Sequence, residues 1–175
     1  MPAVIVIENP YSNEDAIDRL VCYILNPYKA PGYYIFGHAV NLMNIDSVIT
    51  SFKLIKNIYE KTDGRQVRHI IVSFADYEGV TCDDAYWIQS AAVDYYRQLG
   101  YQAVSAIHVP MKEDDKIHFH MAINTVNLND GSKYSGTYTQ SQELFNHLKG
   151  LGEDGLSWEL KHKYVESLEE ELSLI

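Results

Sequence analysis

Three of the seven histidines fall in one stretch, Ile107 to Tyr134, which reads IHVPMKEDDKIHFHMAINTVNLNDGSKY. Imidazole is a common metal ligand, and three of them with an open coordination position can hold a divalent ion that still accepts an exogenous ligand. Residues Ile117 to Val126 alternate and are rich in β-formers, which predicts a strand. Side chains two apart on a strand share a face. His118, His120, Ala122 and Asn124 then point one way, and Phe119, Met121 and Ile123 the other. On this reading the apolar set meets a core and the imidazoles look out onto a solvated face. Tyr101 to Val109 also alternates and carries His108 near its end. The polar, proline-bearing segment Pro110 to Lys116 suits a hairpin loop, and antiparallel pairing brings His108 back beside His118 and His120. The three form a candidate divalent-metal site, for manganese or magnesium in use and readily for nickel or zinc.

The elements that position this hairpin follow in chain order. Ala3 to Ile7 is a continuous apolar run and predicts a buried strand, broken by Asn9-Pro10. Ser12 is a candidate cap for a helix that puts Ile17, Leu20, Val21 and Ile24 on one face and stops near Asn26, before Pro27. Tyr23 sits in its last turns. Gly32 to Phe36 predicts a short strand, and Ile45 to Thr62 a long helix capped by Asn44. Arg68 to Phe74 predicts a strand in which His69, Ile71 and Ser73 share a face. Ser73 is a candidate phosphate donor and His69 reads as structural. Asp83 to Leu99 is a helix closed by Gly100, Gln140 to Leu148 a short helix, and Leu156 to Leu172 a terminal helix loaded with glutamates. This order predicts an α+β fold, a mainly antiparallel sheet with flanking helices of the split β-α-β type. Residues 1–150 form the main domain and 151–175 an acidic helical extension.

Composition narrows the function classes. Hydrophobic content of 46% with 22% charged residues describes an ordinary globular chain. There is no apolar run of membrane length, and Met1 to Glu8 lacks the charged start of a signal peptide. Cys22 and Cys82 have no C-x-x-C spacing and read as reduced, partly buried thiols, which suits the cytoplasm. The net charge of −10 disfavours a broad nucleic-acid surface. A local basic stretch of Lys53, Lys56, Lys61, Arg65 and Arg68 offsets that balance, and 14 tyrosines supply rings on which bases can stack.

The segments VCYILNPYK (21–29), DGRQVRHIIVSF (63–74), AIHV (106–109) and IHFHMAINTVNLNDGSKY (117–134) carry a resemblance. Taken in order from about Asp15 to Leu148, the chain resembles the relaxase/mobilisation nuclease family of the HUH endonucleases. The resemblance implies a five-stranded antiparallel sheet with flanking helices, a divalent ion on His108, His118 and His120, and Tyr23 as the nucleophile that attacks single-stranded DNA. It implies nicking and rejoining at the transfer origin of a plasmid or mobile element, through a 5′-phosphotyrosyl intermediate. Rolling-circle initiators and transposases share that chemistry, and a nuclease-silent regulatory module that binds metal or DNA is the alternative from another class. Lys53, Lys56, Arg65, Arg68 and Ser73, with Lys133 and Tyr134 of the GSKY segment, are the expected DNA contacts. Asn124 completes the H-x-H-x-x-x-N pattern as a support for the ligands. The family's acidic residue two places after the first histidine is Pro110 here, so Glu113 or Asp115 is expected to orient an imidazole through its second nitrogen. The acidic balance adds the expectation of an accessory DNA-binding protein.

Overall fold

The computed structural model describes residues 2–74, 79–111, 115–151 and 157–167. Six strands form one sheet: β1 (Ala3–Ile7), β2 (Ile35–His38), β3 (Val67–Ser73), β4 (Tyr101–His108), β5 (His118–Asn127) and β6 (Glu159–Lys163). Their spatial order is β2-β4-β5-β3-β1-β6. The first five pair antiparallel throughout, and β6 joins the far edge parallel to β1. The predicted α+β class and antiparallel five-strand unit are therefore present, with one strand added.

Four helices cover the sheet: α1 (Ala16–Ile24), α2 (Ile45–Ile58), α3 (Cys82–Gln98) and α4 (Tyr138–Lys149). Each begins where local chemistry allows, with one exception. Asn44 accepts the Ser47 N–H at the start of α2, and Thr81 and Thr137 close capping boxes with Asp84 and Gln140. Ser12 does not cap α1. That helix starts only after Asp15 and has no side-chain cap, and the chain before it turns through Tyr11 at a φ of 42°.

The helices cover both faces. Buried residues of α3 and α4, among them Tyr96, Leu144 and Leu148, pack with Phe119, Met121 and Ile123 on one side. Residues of α1 and α2, among them Leu20, Ile24 and Phe52, pack with Val104, Ala106 and Ala122 on the other. The histidine face expected to be solvated is thus roofed by α1 and α2. The alternation in β5 was real, but it separates two cores rather than a core from water. Cys22 is exposed rather than partly buried.

Two element assignments change. Gly32–Tyr34 is a 3₁₀ turn, so the second strand begins at Ile35. Of the helix predicted over Leu156 to Leu172, Glu159–Lys163 is instead the strand β6, and Leu156 and residues 168–172 lie outside the described residues. Tertiary demand overrides propensity here, since β1 is an apolar strand whose outer edge needs partners for its N–H and C=O groups. Glu159 N–H donates to the Pro2 carbonyl at 3.0 Å and Glu8 N–H to the Lys163 carbonyl at 2.7 Å. The Glu8 carboxylate then ties β6 to β3, meeting His162 at 2.6 Å and Arg68 at 3.4 Å.

Candidate metal centre

Register sets the site. Across the β4–β5 hairpin His108 stands opposite His118, and Ala106 opposite His120. Opposed residues share a face, so all three imidazoles meet at one end of the sheet, beneath the C-terminal end of α1. Their ring centroids lie 4.3 to 5.3 Å apart. One nitrogen from each falls within 4.8 Å of the others, a spread that ring rotations can close onto an ion bound at about 2.1 Å.

Hydrogen bonding decides which nitrogen each ring offers. His108 Nε2 donates to the Ile24 carbonyl at 3.0 Å, one of the orphan acceptors at the end of α1. His118 Nδ1 donates to the Lys116 carbonyl at 2.7 Å. His120 Nδ1 meets Nε2 of His69 at 3.0 Å. That leaves His108 Nδ1 and His118 Nε2, both buried and without hydrogen-bond partners among the described residues, with His120 Nε2 as the nitrogen not turned to His69. Buried polar atoms are seldom left unsatisfied. A cation shared by three lone pairs accounts for these two, so the residues present fit a divalent ion.

Electrostatics favours the same state. Burial pushes His108 down to about 4, against the opposing pull of the Ile24 carbonyl. Burial likewise lowers His118, and His120 falls well below the ordinary histidine range. All three are neutral at physiological pH, as a ligand must be. A neutral donor set leaves a bound dication its full charge, which suits an anionic substrate.

Tyr23, at the end of α1, places its ring edge-on to His120 at 5.2 Å and to His108 at 5.7 Å between centroids. The structure therefore brings it to the histidines. Ser73 is buried opposite His118 across the β3–β5 pair, on the same face. Glu113 lies outside the described residues. Asp115 accepts the Met111 N–H at 2.9 Å, while the second nitrogens it was expected to orient are held by two carbonyls and His69. Asn124 supports packing rather than a ligand. Its amide donates to the Phe52 carbonyl at 3.0 Å and to Gln102 at 2.7 Å, joining α2 to the sheet.

Three of the expected DNA contacts, Lys56, Arg68 and Tyr134, are built into the fold. Lys56 is 2% exposed and donates to the Thr125 hydroxyl, and burial lowers its ammonium to about 7. Arg68 is buried and donates to Glu8 and to the Ser135 and Gly136 carbonyls. A Cβ at Gly136 would overlap that guanidinium. Tyr134 lies in the opposite core, its ring 5.2 Å from Tyr101 and 5.7 Å from Tyr96. Arg65 reaches the Glu8 carbonyl, Lys133 the Asp63 carbonyl and Lys53 pairs with Asp18. Lys56, Arg65 and Lys133 gather around Thr125 and Val126. Thr125 stands five residues from His120, roughly 17 Å along β5. The basic stretch therefore lies at the other end of the sheet from the histidines.

Two residues at the site escaped the sequence. His69, assigned a structural role, touches His120, and Tyr11 Oη meets its Nδ1 at 3.0 Å. If His120 ligates through Nε2, its Nδ1 carries the proton and donates to His69 Nε2. His69 Nδ1 must then carry a proton and donate to Tyr11 Oη. Tyr11 holds this place with a left-handed backbone, which costs a non-glycine residue about 1–2 kcal/mol. Lys29 is the second, with Nζ 5.0 Å from the centroid of the Tyr23 ring.

Comparison with known families finds a match over residues 23–150 to the model described as Relaxase: MobA/VirD2-like, nuclease domain. No curated protein and no solved structure matches the chain. That span contains Tyr23 and all three histidines.

Proposed function

The chain belongs to the relaxase family of MobA/VirD2-like nucleases, and on that premise we propose that it nicks and rejoins one DNA strand at the transfer origin of a plasmid or mobile element. The observation that carries this reading is the phenol of Tyr23 packed against His108 and His120. A nucleophile beside a cation site is the arrangement phosphodiester transfer needs.

His108, His118 and His120 would hold manganese or magnesium. Such an ion, when bound, withdraws charge from the non-bridging oxygens of the phosphodiester and fixes its position. Tyr23 Oη attacks phosphorus, forming an O–P bond as the bond from phosphorus to the 3′-oxygen breaks. The phenol gives up one proton and the departing 3′-oxygen takes one up, so the exchange is proton-neutral. The products are a 5′-phosphotyrosyl enzyme and a free 3′-hydroxyl. One ester replaces another, so the step reverses readily and allows rejoining. His69 keeps His120 oriented, and the Ile24 carbonyl keeps His108 oriented from the same helix that carries Tyr23.

Single-stranded DNA is the partner in this reading, in the cytoplasm, with an accessory DNA-binding protein compensating for the net charge of −10. Among the described residues no helix is long and apolar enough to cross a membrane. A nuclease-silent regulator draws on that same acidic balance. A labelled single-stranded oligonucleotide carrying a candidate origin, incubated with and without manganese, separates the two. The expected result is a manganese-dependent covalent adduct on a denaturing gel that Tyr23→Phe abolishes. An adduct that survives in Tyr23→Phe refutes the nucleophile, and no adduct under any condition favours the regulator.

A further inference from the structure

Lys29 has a position that the basic stretch does not. It lies in the Asn26-Pro27-Tyr28-Lys29 turn that follows α1, and its carbonyl accepts the Val109 N–H at 3.0 Å, one residue beyond His108. The turn is thereby fastened to the strand that carries the first histidine. Its ammonium stands over the Tyr23 ring, 5.0 Å from the centroid. No carboxylate among the described residues is paired with it. By contrast Lys53 is neutralised by Asp18 and Arg68 by Glu8.

We propose that Lys29 is the phosphate-binding residue of this site, its ammonium engaging a non-bridging oxygen of the DNA phosphodiester that Tyr23 attacks. The assignment rests on the nicking reading above. The chemistry calls for such a group. The phosphodiester is anionic before attack and, as the phosphotyrosyl diester, anionic after it, and an ammonium can engage a non-bridging oxygen alongside the dication that the three imidazoles would hold. A lysine head parked on an aromatic face is held only by a contact of about 0.5–1 kcal/mol at exposed sites. Its four-carbon stem can exchange that contact for a charge-assisted hydrogen bond to phosphate. Lys29 is only partly buried, so the exchange requires no opening of the core. The strand would then enter over the Asn26–Pro31 turn rather than across the distant basic stretch.

The test uses the full chain loaded with manganese, an origin-bearing single-stranded oligonucleotide, and the variants Lys29→Met and Lys29→Arg. Lys29→Met keeps the stem and removes the charge. Manganese affinity by calorimetry is expected to stay within about twofold, while adduct formation at saturating DNA falls about 100-fold, the loss typical of removing one donor to a reacting oxyanion. Lys29→Arg is expected to recover most of that rate. Wild-type rate and DNA affinity in Lys29→Met overturn the assignment, as does loss of manganese binding in that variant, which marks a structural role. If the wild type forms no adduct, the nicking reading fails, and Lys29 is judged by binding of the same oligonucleotide. A salt dependence shallower by about 0.7 in log–log slope in Lys29→Met supports a phosphate contact. An unchanged slope overturns it.

Discussion

Replacing His69 by alanine tests the inner construction of the site without touching a ligand. His69 is fully buried between Tyr11 and His120, with a 3.0 Å contact to each. Its removal frees the His120 ring and leaves the buried His120 Nδ1 without its His69 partner. Stranding one buried polar atom costs about 1–3 kcal/mol of fold stability. The loss of an orienting partner weakens metal affinity by about 10- to 100-fold. The two effects separate if thermal unfolding is followed with and without manganese. At a concentration of 100 times the wild-type Kd, metal stabilises the wild type by about 2.7 kcal/mol. Under the same conditions the Ala variant gains only about 0.4–1.4 kcal/mol. For a chain this size each kcal/mol shifts Tm by about 2–4 °C, so the difference is measurable. His69→Gln places an amide oxygen where it can accept the His120 Nδ1–H, and should restore most of the metal-induced shift. An Ala variant that gains as much from manganese as the wild type would falsify the orienting role and leave His69 a packing residue.

Acid should destabilise the metal-free protein in a defined window. The unfolded chain protonates its histidines near pH 6.5, whereas burial holds folded His108 down at about 4. Stability is therefore fully present above about pH 6.5 and lost as pH falls toward 4, with His108 alone accounting for about 3 kcal/mol and the lowered His118 and His120 acting in the same direction. Denaturant unfolding at pH 7.5 and 4.5 checks this, and equal stabilities would rule it out. Arg68→Ala leaves Glu8 without its buried partner and the Ser135 and Gly136 carbonyls without a donor. It should cost about 3–5 kcal/mol of stability, while the single-strand salt slope, measured below its lowered Tm, stays put. A variant of native stability with a shallower slope would restore Arg68 as a DNA contact. Lys56→Glu puts a carboxylate where a buried ammonium meets Thr125, so loss of cooperative unfolding is expected, and a stable variant with weakened DNA binding is the contrary result.

What the sequence revealed and what it hid divide along sequence separation. The β4–β5 hairpin joins neighbours in the chain, so its period and loop chemistry were enough to bring His108 opposite His118. The β3–β5 pairing crosses a helix and a strand, and no local pattern records it. The shared face of His69, Ile71 and Ser73 was legible. That this face lies beside His120 was not, because Ile71 meets His120 only through that long-range register. Solvation failed for a related reason. Alternation distinguishes two faces but does not say what covers them, and α1 and α2 roof the second face with Leu20, Ile24 and Phe52. For the basic stretch, charge alone did not say which cations the fold itself uses. Lys56 and Arg68 are spent inside the fold near Thr125 and Glu8, so the chain's few cations are fewer still at its surface. On the proposed reading, a site with neutral ligands in an acidic chain, with the Lys29 ammonium beside its tyrosine, obtains its hold on DNA from a few contacts near the chemistry. The same reading puts recognition in the turn after α1, where helix end, tyrosine and histidine strand are joined by the bonds from His108 to Ile24 and from Val109 to Lys29.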